Sequence, residues 1–221
     1  MSNSDITAVL TSCGRFHLLE KTLGSFFQFC TVPLAGLIII DDSGLPGAQA
    51  SILAVLGRCG CPDIQTVVVL ANPVNIGQAR SINRAYKLVR TKYIFHLEDD
   101  WEFLAPGFME ESMQVLEATP WVMTHWLRDR SDTNGHPVEQ VQGLDFGLMA
   151  LSYVGCWHGF TLNPGLRRTA DFFPIESEPS ASVEFMRRGF RASITGMSGG
   201  YVRHIGGGEE STAFMPGTAK A

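Results

Sequence analysis

Apolar and polar positions alternate along the first hundred residues in a pattern typical of strands separated by helices. Four short apolar runs predict strands at residues 6–10, 37–40, 65–70 and 92–97. Between them, apolar residues recur at helical spacing over residues 17–29, 48–56 and 76–89. Strands that are apolar at consecutive positions are buried on both faces. The pattern therefore predicts an α/β fold in which helices cover both faces of a mostly parallel sheet.

The second half has a different pattern. It predicts a helix over residues 108–118, a strand over 122–126, a polar loop over 128–137 and a β-rich stretch over 138–154. A helix over 181–188 and short strands at 192–194 and 201–203 follow. We expect one domain over residues 1–221, with the sheet in residues 1–105 and a smaller β-rich half in residues 106–205. The Gly-rich, polar residues 206–221 are expected to form a flexible tail.

Composition narrows the possible classes of protein. The 221 residues are 45% hydrophobic and 18% charged, with a formal net charge of −5. This length suits one domain with a substantial core. The basic residues are scattered and outnumbered by acids, which argues against a nucleic-acid partner. No apolar run approaches the roughly 20 residues of a transmembrane helix. The odd number of cysteines, without zinc-site spacing, favours reduced thiols and a cytoplasmic location.

Polar clusters follow three of the four predicted strands. They are Thr11-Ser12, Asp41-Asp42 and the three consecutive carboxylates Glu98, Asp99 and Asp100. In sheets of this type, ligands bind at the carboxyl ends of the strands. Adjacent carboxylates are costly to bury unless a cation neutralises them, and hard divalent ions bind one or two carboxylates together with substrate phosphates. The clusters predict a metal–diphosphate site, with an acidic loop or helix N-terminus as the alternative.

Six sequence blocks stand in the order and spacing of a known enzyme class. They are residues 6–15, 38–44, 75–83, 98–100, 184–191 and 202–206. Together they resemble the A-type glycosyltransferases, especially family 2, whose inverting members use nucleotide-sugar donors. Glu98, Asp99 and Asp100 stand in the place of the metal-binding DxD motif. With Trp101 they are also similar to the Glu-Asp-Asp motif of N-acetylglucosaminyltransferase I. The resemblance implies a nucleotide-binding half, an acceptor-side half and a single glycosyltransferase domain.

The resemblance also implies roles for individual residues. Asp100 and His204 are the implied ligands of Mn²⁺ or Mg²⁺. Asp42 is expected to meet the nucleobase, and the residues expected to bind the donor are Thr11, Arg15, Asp42, Asn75, Arg80, Glu98 and Asp99. Structural alternatives stay open for several of them. Asn75 is also a plausible helix N-cap, Arg15 an exposed helix-entry residue and His204 a histidine packed at a strand end.

The resemblance also implies a carboxylate base that accepts the proton of the acceptor's hydroxyl group. Counting back from Gly189 places Glu178 where the family has its catalytic carboxylate. The usual Glu-Asp pair reads Ser177-Glu178 here, followed by Pro179. Glu176 and Glu184 are rivals, and an ordinary helix-start residue is the structural alternative. A general base must lie within hydrogen-bond reach of the proton that it accepts.

The expected activity is metal-dependent, inverting transfer of a hexosyl or N-acetylhexosaminyl group. The donor is expected to be a UDP-sugar, and the acceptor a hydroxyl of a glycan, a lipid-linked molecule or another compound. A non-catalytic domain that binds nucleotide or sugar is one alternative. A sugar nucleotidyltransferase is another, although Ser12-Cys-Gly-Arg15 lacks the Gly-rich loop with lysine typical of those enzymes. Oligomeric state is left open by the sequence.

Overall fold

A five-stranded sheet forms the centre of the first half and carries the polar clusters at its edge. The computed structural model describes residues 4–62, 64–155 and 157–207. Four strands run parallel in the order β3-β2-β1-β4, and a fifth, β9, pairs antiparallel with β4. Their bounds are Ile6–Ser12 (β1), Gly36–Asp41 (β2), Thr66–Ala71 (β3), Tyr93–Glu98 (β4) and Gly165–Arg168 (β9). The mostly parallel sheet predicted from the apolar runs is confirmed.

Helices cover both faces of this sheet. They are α1 (Phe16–Phe29), α2 (Ala48–Cys59), α3 (Gln78–Tyr86), α4 (Phe108–Ala118) and α5 (Glu178–Arg187). Along β2, Leu37 and Ile39 lie in a core shared with α1, α2 and α4, whereas Ile38 and Ile40 lie in a core shared with α3 and α5. Successive side chains of a strand point to opposite faces, so two buried faces require an unbroken apolar strand.

The second half adds two smaller sheets. Strands β6 (Val122–Trp126), β10 (Arg191–Ile194), β8 (Gly147–Met149) and β7 (Val138–Gln140) form one sheet in that order. Strand β5 (Trp101–Phe103) pairs antiparallel with β11 (Val202–His204), which places His204 opposite Trp101. Both β5 and β9 are absent from the sequence prediction. Each is only three or four residues long, which is too short for an alternation of apolar and polar residues to indicate a strand.

Two helices begin two or three residues away from their predicted starts. Helix α3 begins at Gln78, and its N-cap is Gly77 rather than Asn75. Gly77 has a φ of +92°, a conformation that favours glycine. Helix α5 begins at Glu178, three residues earlier than predicted. Ser177 caps it by accepting a hydrogen bond from Ser180 N–H, and Ser180 Oγ accepts one from Ser177 N–H.

Membrane-spanning helices and cysteine pairing can be compared with the sequence predictions over residues 4–62, 64–155 and 157–207. Among these residues, no helix combines the length and the apolar character needed to cross a bilayer. The thiols of Cys13, Cys30, Cys59 and Cys61 are free. Most of the predicted flexible tail, residues 208–221, lies outside the described residues. The tail and the cytoplasmic location therefore stay predictions.

Candidate functional site

A cavity of about 240 Å³ opens where the carboxyl ends of β1, β2 and β4 meet. Parallel strands end at the same edge of a sheet, so residues far apart in sequence converge there. Every predicted donor-binding residue except Arg80 lines this cavity. The lining comprises Thr11, Ser12, Cys13, Arg15, Asp42, Asn75, Gly77, Gln78, Ser81, Glu98 and Asp99.

Arg80 lies away from the cavity although its helix borders it. Gln78 and Ser81 are three residues apart on α3 and both line the cavity, whereas Arg80 is exposed. Residues at positions i and i+3 of a helix share a face, whereas Arg80, at position i+2 from Gln78, lies on another face. Gln78 and Ser81 were not predicted as site residues, although their spacing at the helix start could have indicated them.

The neighbouring acids Asp41 and Asp42 hold two different loops. The Asp41 carboxylate accepts hydrogen bonds from Gly14 N–H at 2.8 Å and from Ser43 N–H at 3.0 Å. Asp41 is thus a turn-forming residue. The Asp42 carboxylate accepts hydrogen bonds from the side-chain amide of Asn72 and the backbone N–H groups of Ile76 and Gly77, at 2.7–2.9 Å. Asp42 therefore shapes the wall of the cavity formed by residues 75–77.

Arg15 connects the acids at the end of β4. Its guanidinium forms ion pairs with Asp99 and with Asp100, the latter at 2.9 Å. Asp99 is 1% exposed and also accepts a hydrogen bond from Ser12 Oγ at 3.0 Å. Burial raises the pKa of Asp99 to about 6, against the opposing effect of Arg15. The alternative of an exposed helix-entry arginine does not describe Arg15, which is half-buried in the cavity wall.

Asp100 and Glu98 differ in their tendency to ionise. Burial would raise the pKa of Asp100, but hydrogen bonds and charge from His204 and Arg15 outweigh it and lower this pKa below its ordinary value. Burial and the charge of Asp100 raise the pKa of Glu98 to about 7. The carboxylate of Glu98 accepts hydrogen bonds from Gln78 Nε2 and from Trp101 Nε1. Asp100 is therefore the most acidic of the three groups.

Asp100 and His204 lie close enough together for both to contact one divalent cation. His204 Nε2 lies 3.3 Å from an Asp100 carboxylate oxygen. Adjacent ligands of an octahedral ion with bonds near 2.1 Å are about 3 Å apart. In the described part of the chain, no group of three or more His, Cys, Asp or Glu residues is arranged to hold a metal ion. The pair could thus supply two ligands, and a hard cation commonly completes its shell with water and phosphate oxygens.

Glu178 lies at the first turn of α5, outside the lining of the cavity but close enough to Glu98 for their charges to interact. Its carboxylate accepts hydrogen bonds from Leu162 N–H at 3.4 Å and from the Thr161 side chain. Burial raises the pKa of Glu178, and its own charge contributes to the raised pKa of Glu98. The rivals have other positions, because Glu176 is exposed and Glu184 pairs with Arg188 at 2.8 Å. Of the three, Glu178 is the one whose charge acts on Glu98.

Comparison with known sequences gives no assignment. No protein-family model matches the chain. No curated protein matches it either.

Comparison with solved structures reveals clear similarity. The mannosyltransferase PcManGT from Pyrobaculum calidifontis, in complex with GDP-Man and Mn²⁺, matches 86% of this chain with a TM-score of 0.63 and 15% identity. TarS residues 1–349 from S. aureus, in complex with UDP-GlcNAc, matches 95% of this chain with a TM-score of 0.61 and 14% identity. The match covers 54% of the PcManGT chain and 61% of the TarS chain, so this chain spans little more than half of either.

This similarity defines the class of fold. The chain shares with these proteins a mixed α/β architecture in which helices flank a sheet rich in parallel strands. That architecture is the one expected from the resemblance to A-type glycosyltransferases. At identities of 15% and below, the similarity concerns the fold.

Proposed function

We propose that this chain is a glycosyltransferase domain that moves a sugar from a nucleotide-diphosphate donor, of the UDP-sugar class, to a hydroxyl acceptor. The observation that carries the proposal is the convergence of Asp42, Arg15, Glu98 and Asp99 on one cavity at the strand ends, with Asp100 paired to Arg15 beside it. Solved structures of the same fold were determined with GDP-Man and Mn²⁺ and with UDP-GlcNAc. Residues 1–105 would bind the donor, and residues 106–205 would bind the acceptor.

In this proposal the donor extends through the cavity from Asp42 to Arg15, beyond which lies Asp100. Thr11 and Asp42 meet the nucleobase, because they line the end of the cavity formed by β1 and β2. Arg15 lies between this end and Asp100, where its guanidinium can bind diphosphate oxygens. Asn75 lines the same wall next to Cys13.

Asp100 and His204 would hold a divalent cation, Mn²⁺ or Mg²⁺. When bound, such a cation balances the negative charge that grows on the departing diphosphate. As metal ligands, Asp100 would be an ionised carboxylate and His204 a neutral imidazole. Glu98 and Asp99 orient the surrounding groups through Trp101, Ser12 and Arg15.

Glu178 would act as the general base. It accepts the proton of the acceptor hydroxyl while the hydroxyl oxygen bonds to the sugar carbon and the bond to the diphosphate breaks. Inversion requires this attack from the face of the sugar opposite the leaving group. Glu178 belongs to α5, whereas the acids proposed to lie beside the diphosphate follow β4. Burial raises its pKa, and a pKa nearer to the working pH makes a carboxylate a more effective proton acceptor.

Calorimetric titration with UDP and Mn²⁺ tests the donor site. Wild-type protein is expected to bind UDP more tightly with Mn²⁺ than without it, and Asp100→Ala is expected to lose this difference. Asp5→Ala, which removes an exposed carboxylate outside the cavity, serves as the matched control. Equal binding by the wild type and Asp100→Ala would overturn the metal site.

A transfer assay with a panel of nucleotide sugars tests the catalytic part. Glu178→Gln should lower the transfer rate by about 10²–10⁴-fold, the range typical of a lost general base, while UDP still binds. Glu184→Gln is the control, because Glu184 forms a surface ion pair on the same helix. Wild-type protein that binds UDP but transfers no sugar to any acceptor would instead identify a non-catalytic binding domain.

A further inference from the structure

Arg167 is a buried cation behind the proposed base. It lies on β9, where the pairing with β4 places it opposite Ile94, and it is 6% exposed. Its guanidinium donates a hydrogen bond to the hydroxyl of Tyr86 at 2.6 Å and others to the backbone carbonyls of Thr161 and Asn163. In the described ranges no carboxylate forms an ion pair with it, and its Nε atom has no hydrogen-bond partner.

A buried, unpaired guanidinium is unfavourable for folding. Burying a cation without a paired anion costs free energy, and a buried arginine is usually paired. Replacing Arg167 by an apolar residue would relieve this cost if packing were its only role. The arginine therefore points to a requirement for positive charge at this place.

The carbonyls bound by Arg167 belong to the segment that binds Glu178. Residues 161–163 connect to Arg167 through the carbonyls of Thr161 and Asn163. The same segment donates hydrogen bonds to the Glu178 carboxylate from Leu162 N–H and from the Thr161 side chain. The 161–163 segment thus lies between Arg167, which binds its carbonyls, and Glu178, which accepts its hydrogen bonds.

Within the described part of the chain, three charged groups act on Glu178 from neighbouring elements. Arg167 does so from β9, Arg128 from the segment after β6, and Glu98 from the end of β4. The two arginines favour the ionised carboxylate, whereas Glu98 disfavours it. Arg128 is already paired with Asp132 at 2.7 Å, so Arg167 is the cation without a local counter-charge.

We propose that Arg167 is a positioning residue for Glu178. It holds the 161–163 segment in place, and its charge keeps the Glu178 carboxylate ionised and ready to accept a proton. This inference rests on the proposed function of Glu178 as the general base.

Three substitutions separate charge from contact. Arg167→Met removes both, Arg167→Gln removes the charge but can still donate a hydrogen bond to a carbonyl, and Arg167→Lys keeps the charge but cannot span both carbonyls and the Tyr86 hydroxyl. Arg168→Met is the matched control. It is the next residue of the same strand, and its guanidinium instead binds Asp171 and the carbonyls of Leu116, Pro120 and Val122.

The titration of Glu178 is the first readout and needs no activity. Its side-chain carboxyl carbon is assigned by the NMR signal that disappears in Glu178→Gln. Loss of a nearby positive charge raises a carboxyl pKa, so Arg167→Met and Arg167→Gln should titrate at higher pH than wild type. Arg167→Lys and Arg168→Met should titrate as wild type does. An unchanged titration in both neutral variants would overturn the electrostatic part of the inference.

The pH profile of kcat is the second readout. A general base works only when ionised, so its raised pKa moves the acid limb of the profile to higher pH in the neutral variants. Arg167→Met should also lower kcat at least about tenfold in the wild-type background, with little change in UDP affinity. In a Glu178→Gln background the same substitution should cost less than about twofold, because residues that act as a unit are not additive.

The outcomes distinguish the two proposals. Additive losses in the Glu178→Gln background, with no movement of the acid limb, would show that Arg167 only stabilises the fold. If wild-type protein transfers no sugar, the function proposed for Glu178 fails and this inference fails with it. Transfer that depends on Glu178 but not on Arg167 overturns this inference alone.

Discussion

Glu98, Asp99 and Asp100 are consecutive acids with three different environments. The pKa of Glu98 is raised to about 7 and that of Asp99 to about 6, whereas that of Asp100 is lowered. The difference arises from their partners, because Arg15 and His204 offset the burial of Asp100, whereas the described residues that donate to Glu98, Gln78 and Trp101, are neutral. A run of identical charges in sequence thus becomes one ionised ligand candidate and two groups of weaker acidity.

His96 predicts a pH dependence of stability. It is fully buried on β4, and within the described residues neither ring nitrogen has a hydrogen-bond partner. Burial, with the charge of Arg167, holds its pKa well below 6.5. Below about pH 6.5 the unfolded chain takes up a proton here and the folded chain does not, so the free energy of unfolding falls as the pH falls.

His96→Phe should reduce the loss of unfolding free energy between pH 7 and pH 5. Between pH 7 and pH 5 the contribution of one such histidine is at most about 2 kcal/mol, the limit set by the pKa of the unfolded chain. Urea denaturation of both proteins at the two pH values measures it. An equal loss of stability in wild type and variant would contradict the assignment to His96.

The pairing of β5 with β11 brings the last described segment over the end of β4. His204 lies opposite Trp101 in this pair, and Ile205 N–H donates a hydrogen bond to the Asp100 carbonyl at 2.8 Å. Gly206 then approaches so closely that a Cβ atom on it would lie 2.5 Å from Asp100 Oδ2. The site thus depends on a glycine that neighbours the proposed metal ligand in space.

Gly206→Ala is therefore expected to displace the Asp100 carboxylate. Changes in groups that orient a metal ligand typically lower metal affinity about 10–100-fold, and we expect a loss of this order for Mn²⁺ in the presence of UDP. Gly207→Ala is the matched control, since its Cβ would meet nothing within 4 Å. Titration calorimetry compares the two, and equal affinities would disprove the steric argument.

Glu111 joins α4 to β6 and to the segment between β10 and β11. Its carboxylate accepts hydrogen bonds from Tyr201 Oη at 2.6 Å and Thr195 Oγ1 at 2.7 Å, and lies 3.0 Å from His125 Nε2. His125 belongs to β6, and its other ring nitrogen lies 2.8 Å from Ser193 Oγ on β10. Burial raises the pKa of Glu111, but these partners outweigh it and lower the pKa to about 2.

Glu111→Gln should lower the free energy of unfolding at pH 7 by about 1–3 kcal/mol, because it leaves buried donors without an acceptor. In the wild type this contribution is complete above the unfolded pKa near 4.5 and is lost as the pH falls towards about 2. Urea denaturation measures the difference. Glu117→Gln, on the same helix but with a largely exposed carboxylate, is expected to change stability little, and a similar loss in both variants would refute the network.

The cavity could be anticipated from the sequence because it depends on local patterns. Unbroken apolar runs indicate strands buried on both faces, and such strands form a parallel sheet whose carboxyl ends meet at one edge. Thr11, Asp42 and Glu98 follow three of these runs, so their convergence needed no knowledge of side-chain packing. The position of Glu178 followed only from the resemblance to a family, and its role stays a proposal.

Other features depend on contacts between distant parts of the chain. Strands β5 and β9 are defined by pairing with β11 and β4, so three or four residues of sequence carry too little signal to indicate them. The same holds for Arg167 behind Glu178, and for Arg80, which the phase of α3 turns away from the cavity. Hydrophobic periodicity specifies which face of an element is buried. Which polar side chains then meet is decided by how those elements pack, because that depends on the positions of all of them at once.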